Sequence, residues 1–149
     1  MANNTDQLAV GAIPALGLKK GYVQEKVIDL AGLPTGELVY VFTIPKGQKV
    51  LDVVTEVVEG VDLVATANVG IYSDKTGTAV DADGFNAAVD LDAAEGTIEH
   101  GLGGTDALMT TGGYMHATAE TYIALALTVA AGPVVAGSIA VRAHCVDLS

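Results

Sequence analysis

The sequence predicts a mainly β fold: a single-domain β-sandwich or jelly-roll-like body with an extended N-terminal arm and long loops. Three observations carry that prediction. Roughly six to eight short runs rich in Val, Ile, Leu and Thr recur with turn residues between them, the pattern of sandwiches, jelly rolls and open barrels. The run Ser138–Asp147 alternates in side-chain character almost to the last residue, which suits a strand tied into a sheet. Helix signals are poor, since β-branched residues and Gly interrupt the long windows and only Ala87–Glu95 admits one or two helical turns.

Taken in order, residues 1–21 form the arm and residues 22–149 the sandwich. The arm segment Ala9–Leu18 is apolar but broken by Gly11, Pro14 and Gly17, and fits neither the helical nor the strand period. Its apolar residues need cover, either from a neighbouring subunit or from the arm folding back on its own domain. The first strands are Tyr22–Asp29 and Glu37–Ile44, separated by the turn Leu33-Pro34-Thr35-Gly36. A second turn, Pro45–Gln48, leads into a strand over Lys49–Glu59. There Leu51, Val53, Thr55 and Val57 are placed on one face, and Val50, Val54 and Val58 on the other with Asp52 and Glu56.

Ala67–Ser73 reads as a further strand. Asp74–Gly113 reads as loop-rich, with short strands at Ala87–Leu91 and Gly96–Glu99. Thr121–Val129 is expected to pair with the terminal strand through the linker Ala130–Gly137, as a hairpin with a long loop. On the terminal strand Ile139, Val141, Ala143 and Cys145 share one face, and Ser138, Arg142 and His144 the other.

Composition narrows the function. The 149 residues suffice for one core without disulfide or metal staples. Half are hydrophobic, aromatics are only 5% and Trp is absent, so stacking platforms for sugars or bases are few. Eighteen acids against seven bases give a net charge of −11. Six of the bases precede residue 76; beyond it nine acids face Arg142 alone, a balance of −8 by subtraction. Nucleic acid is bound through Lys and Arg, so this balance opposes it, and it opposes anionic membranes as well. No apolar stretch reaches the length of a membrane helix, and the N-terminal residues lack signal-peptide character. A soluble protein synthesised in the cytoplasm is expected.

Chemical motifs fail one by one, so no enzyme and no cofactor is expected. Asp81-Ala82-Asp83-Gly84-Phe85-Asn86 does not fit a calcium-binding EF-hand loop, because Phe85 and Asn86 occupy the positions of an oxygen ligand and of Gly. Turn chemistry accounts for these acids, with a calcium site of another kind as the alternative. His100, His116 and His144 lie on separate segments. His144 and Cys145 are neighbours on a strand, so they project to opposite faces and cannot act as base and nucleophile. Ser73, Ser138 and Ser149 stand outside any nucleophile elbow. Gly101–Asp106 lacks the final Gly of a dinucleotide loop and is not followed by Gly-Lys-Ser/Thr.

Three segments read together carry a resemblance: Val27–Leu30 through Val41–Gly47, Asp83–Asn86 through Val89–Leu91, and Ile139–Leu148. The chain resembles small virion proteins of tailed bacteriophages that decorate or cement the capsid. The similarity runs over most of residues 22–149 and leaves the arm uncovered. It implies a sandwich subunit, commonly a homotrimer seated between capsomers on the capsid exterior, with the major capsid protein and other copies of itself as partners. The interface expected from this reading is the arm: Leu8, Val10, Ile13, Leu16, Leu18, Lys19 and Lys20, with Lys26 adding to its positive charge. The competing reading is a head-fibre or tail domain that binds a receptor or glycan.

Overall fold

The computed structural model describes residues 21–101, 114–116 and 119–148. Among these residues nine strands fall into two antiparallel sheets: β1 (Gly21–Asp29), β2 (Leu38–Ile44), β3 (Gln48–Glu59), β4 (Ala65–Tyr72), β5 (Ala79–Asp90), β6 (Ile98–His100), β7 (Tyr114–His116), β8 (Thr121–Val129) and β9 (Ser138–Asp147). The first sheet runs β1-β9-β3-β6, with β7 also paired to β3; the second runs β2-β8-β4-β5. The expected β-sandwich is what forms, and no helix occurs among the described residues.

The alternation read along β9 decides how the sheets meet. Ile139, Val141, Ala143 and Cys145 are all 1% exposed or less and face the second sheet. From that sheet Ile123, Leu125 and Leu127 of β8 and Ala67, Val69 and Ile71 of β4 close the same core. Burial of apolar area at ~25 cal/mol per Å² is the force that holds the two layers together.

Successive strands mostly change sheet, and this overturns the hairpin expected between β8 and β9. β8 pairs with β2 and β4, whereas β9 pairs with β1 and β3. Both strands alternate strongly, but alternation reports only which face is buried. The eight residues Ala130–Gly137 carry the chain across the core instead of back along the same sheet. They are fixed there by Gly32 N–H to Val134 O at 2.6 Å and Leu30 N–H to Gly137 O at 2.9 Å.

Two turns set the early crossings. Gln48 N–H donates to Pro45 O at 3.3 Å, with Gly47 at φ 85° supplying the left-handed residue. The turn before β2 lies one residue later than expected: Glu37 N–H donates to Pro34 O at 3.3 Å, with Gly36 at φ 85°.

A bulge corrects the face assignment of β3. Val50 pairs with Cys145 and Asp52 with His144, which leaves Leu51 as the extra residue. Val50 therefore joins Val53, Thr55 and Val57 on the inner face, while Leu51 is 39% exposed.

β5 replaces what the sequence reads as loop with short strands or a helical turn. Its register against β4 jumps from Val69↔Asn86 to Ile71↔Asp81, so two residues along β4 answer to five along β5. The excess folds over Gly70: a Cβ built there would lie 2.2 Å from the carbonyl carbon and oxygen of Ala82. Phe85 follows and is driven fully into the core at 0% exposure. A second irregularity puts Ala88 at φ 56°, and its N–H donates to the Asn68 side chain at 2.9 Å.

Candidate interface surfaces

The side chains considered for chemistry are kept apart. Cys145 faces the core at 1% exposure, and burial raises the pKa of its thiol. His144 points outward, in register with Val23 on one side and Asp52 on the other. His100 lies two strands away, with Nδ1 3.2 Å from Asp52 Oδ2. The side chain of His116, residues 102–106 and Ser149 lie outside the described residues.

Acids at the end of β5 and on β6 accept backbone N–H groups. Asp90 accepts the Asp92 N–H at 3.1 Å, and Glu99 accepts the Asp90 N–H at 3.0 Å. The Asp90 carboxyl is raised, chiefly by the side chain of Asp92. Among the described residues no three His, Cys, Asp or Glu side chains converge as a metal site. Ser73 Oγ donates to the backbone oxygen of Thr78 at 3.3 Å, closing the loop between β4 and β5.

Two surfaces remain as candidates for recognition. The first is the outer face of the first sheet. Arg142 lies there between Glu25 on β1 and Glu56 on β3, donating to both and meeting Glu56 at 2.8 Å. Val23 and Val27 flank Glu25 at 54% and 58% exposure, and Ile98 on β6 is 50% exposed. β1 is an edge strand with nine residues in unbroken register. An edge of this kind invites pairing unless another chain segment covers it. The arm residues Leu8, Val10, Ile13, Leu16, Leu18, Lys19 and Lys20 lie outside the described residues; the chain they belong to enters the sheet at Gly21.

The second surface gathers aromatic residues that look scattered in the sequence. Tyr40 on β2 packs edge-on against Tyr72 on β4 and Tyr122 on β8, with ring centroids 5.9 and 6.1 Å apart. The register explains this: Tyr40 opposes Ala124, Tyr72 opposes Tyr122, and all three rings project from the outer face of the second sheet. The Tyr40 hydroxyl accepts the Gly77 N–H at 2.9 Å and so ties down the β4–β5 loop. From that loop Lys75 sets its ammonium 5.3 Å from the Tyr122 ring centroid. Beside these rings lies a cleft of about 180 Å³, lined also by Thr43 and by Lys26 from the other sheet. Sequence reasoning missed this cluster because its members are separated along the chain and meet only through strand register.

No family model matches the chain. Nor does any curated protein. Its fold does match chains in three solved structures. A chain in the capsid of Ralstonia phage GP4 aligns with a TM-score of 0.64 at 17% identity, over 89% of this chain and 87% of that one. A chain in the capsid asymmetric unit of cyanophage Pam1 gives 0.58 at 18% identity, over 87% and 86%. One in the acid-stable capsid of Helicobacter pylori bacteriophage KHP30 gives 0.56 at 15% identity, over 89% and 91%. The β-sandwich of this chain is a fold found in the capsids of these three phages.

Proposed function

We propose that this chain is a structural protein of a bacteriophage virion. It decorates the outside of the capsid and stabilises it by binding across neighbouring major capsid subunits, as a homotrimer. The observation that carries the reading is the fold likeness to chains of three phage capsids, each covered by 86% or more. The likeness is of whole sandwich to whole sandwich, which suits a subunit added to a shell.

The surface supports this role. Stable interfaces need roughly 800 Å² per partner with apolar side chains at the centre. Val23, Val27 and Ile98, with the β1 edge that no other strand pairs among the described residues, provide such a starting surface. The arm residues precede β1 in the sequence, and together with the β1 edge they are the expected contact with the capsid and with adjacent copies. Such a protein contributes to stability by area buried between subunits that are otherwise separate.

The tyrosine cluster bears on receptor or glycan binding, and its geometry disfavours that role. Tyr72 is only 4% exposed, and one face of Tyr122 is occupied by Lys75. Sugar stacking needs an open ring face.

Co-sedimentation with capsids assembled without this protein tests the proposal. Saturable binding is expected, along with a native mass near three times the 15.1 kDa chain. A monomer that stays in the supernatant refutes it.

A further inference from the structure

We propose that the cleft between Lys26 and Lys75 is a carboxylate-binding site, and that on the virion it receives an acidic side chain carried by an extended segment of the major capsid protein. The chemistry of the site is argued from this chain alone; the identity of the partner rests on the decoration reading above.

A chain with eighteen acids and seven bases repels acidic partners over most of its surface. Two of its lysines nevertheless line one cleft, Lys26 from β1 and Lys75 from the β4–β5 loop. Neither ammonium forms an ion pair with a carboxylate among the described residues. Arg142, by contrast, is held by Glu25 and Glu56. Glu120, an acid beside the rings, is also engaged, since it accepts the Tyr122 hydroxyl at 2.9 Å.

The site is built rather than incidental. Lys75 rides on a loop closed by Asp74, whose Oδ1 accepts the Thr76 N–H and hydroxyl at 2.8 Å each and the Thr78 N–H at 3.2 Å. Tyr40 pins the far side of that loop through Gly77, and the Tyr122 ring supports the ammonium from below. Lys26 arrives from β1, and Gln24 two residues before it donates to Thr43 O at 3.4 Å, linking β1 to β2. Among the described residues β2 is the edge of its sheet, with a bulge at Val41, so an extended backbone can add along it while the lysines take the carboxylate.

The test uses the whole protein and a peptide, acetylated and amidated Gly-Glu-Gly-Glu-Gly, followed through the backbone amide signals of Thr43 and Gly77. Saturable shifts are expected with this peptide and not with its Gln analogue. Affinity should fall as salt rises and drop roughly tenfold in the Lys26→Gln/Lys75→Gln double variant. Both lysines are exposed, so an unchanged melting curve confirms that the variant is folded. Absent shifts, equal shifts with the Gln peptide, or shifts retained in the double variant overturn the site. A second arm repeats capsid co-sedimentation with both proteins. Loss of binding in the variant alone supports the partner assignment, and equal binding overturns it. If the wild type binds the peptide but ignores capsids, the decoration reading fails while the carboxylate site stands.

Discussion

Replacing Gly70 by Ala adds one methyl group where β5 crosses β4. That Cβ would lie 2.2 Å from the carbonyl carbon and oxygen of Ala82 and 2.3 Å from Asp81 O. Non-bonded carbon contacts settle near ~3.5–4.0 Å, so the crossing segment must lift by more than ~1 Å. All three atoms are backbone, and no side chain can rotate out of the way. Overpacking alone costs about 1–3 kcal/mol. Lifting the segment also draws on Phe85, whose complete truncation to Ala would cost about 3–5 kcal/mol. A loss of about 3 kcal/mol is therefore expected for Gly70→Ala, which for a domain of this size lowers Tm by roughly 6–12 °C.

Circular dichroism melting curves check this, with Gly21→Ala as the control. At Gly21 the added Cβ meets, among the described residues, only Cys145 O, at 3.7 Å, and Tm should stay within about 2 °C of the wild type. A cycle with Phe85→Ala adds a sharper reading. If Gly70→Ala acts by displacing Phe85, the two losses should fall short of additivity by about 1–2 kcal/mol. A Gly70→Ala protein that melts with the wild type would refute the crossing itself.

Three further outcomes follow from single residues. Ala88 sits at φ 56°, a conformation that costs an L-residue about 1–2 kcal/mol, so Ala88→Gly should stabilise by about 0.5–1 kcal/mol after the entropy of Gly is deducted; a lower Tm would contradict the bulge at that position. Hydrogen bonds, first from the Thr76 backbone and then from the Thr78 and Thr76 side chains, hold Asp74 at about 2 against its ordinary 3.8. A depressed folded value means that its stabilisation of the Lys75 loop is complete above the ordinary value and is lost as pH falls through about 2. The carboxyl carbon shift of Asp74 should show that midpoint, and a midpoint at the ordinary value would break the loop account. Cys145, at 1% exposure and with its thiol pKa raised by burial, should resist iodoacetamide in the native protein and react fully in urea; rapid native labelling would remove it from the core.

The sequence made faces legible far better than partners. The inward row Ile139, Val141, Ala143 and Cys145 is plain in the alternation of the terminal strand, because period 2 is a property of one strand by itself. Which strand lies beside it is a property of the whole sheet, and the Ala130–Gly137 connection crosses the core instead of closing a hairpin. Bulges set a second boundary. Leu51 inverts the faces on either side of it, and nothing in Val50-Leu51-Asp52 announces the extra residue. β5 was hidden for a related reason: Asp, Gly and Ala serve there as strand residues in broken register, where the same composition elsewhere marks loops.

The candidate site divides in the same way. Separation of His144 from Cys145 follows from adjacency on one strand and is read directly. Convergence of Tyr40, Tyr72 and Tyr122 depends on two registers and two sheet neighbours, so their spacing along the chain carries no sign of it. Lys26 was visible only as part of a basic N-terminal portion, and its place opposite Lys75 comes from the packing of the two sheets.

The sandwich is proposed as an addition to a phage shell. Occupancy on capsids assembled without it, measured by cryo-electron microscopy after mixing with purified protein, tests that claim most directly. Density for the sandwich is expected on the outer surface, bridging adjacent major capsid subunits at every equivalent position, with capsids that rupture at a higher temperature. Bare capsids at saturating protein, with an unchanged rupture temperature, would contradict it.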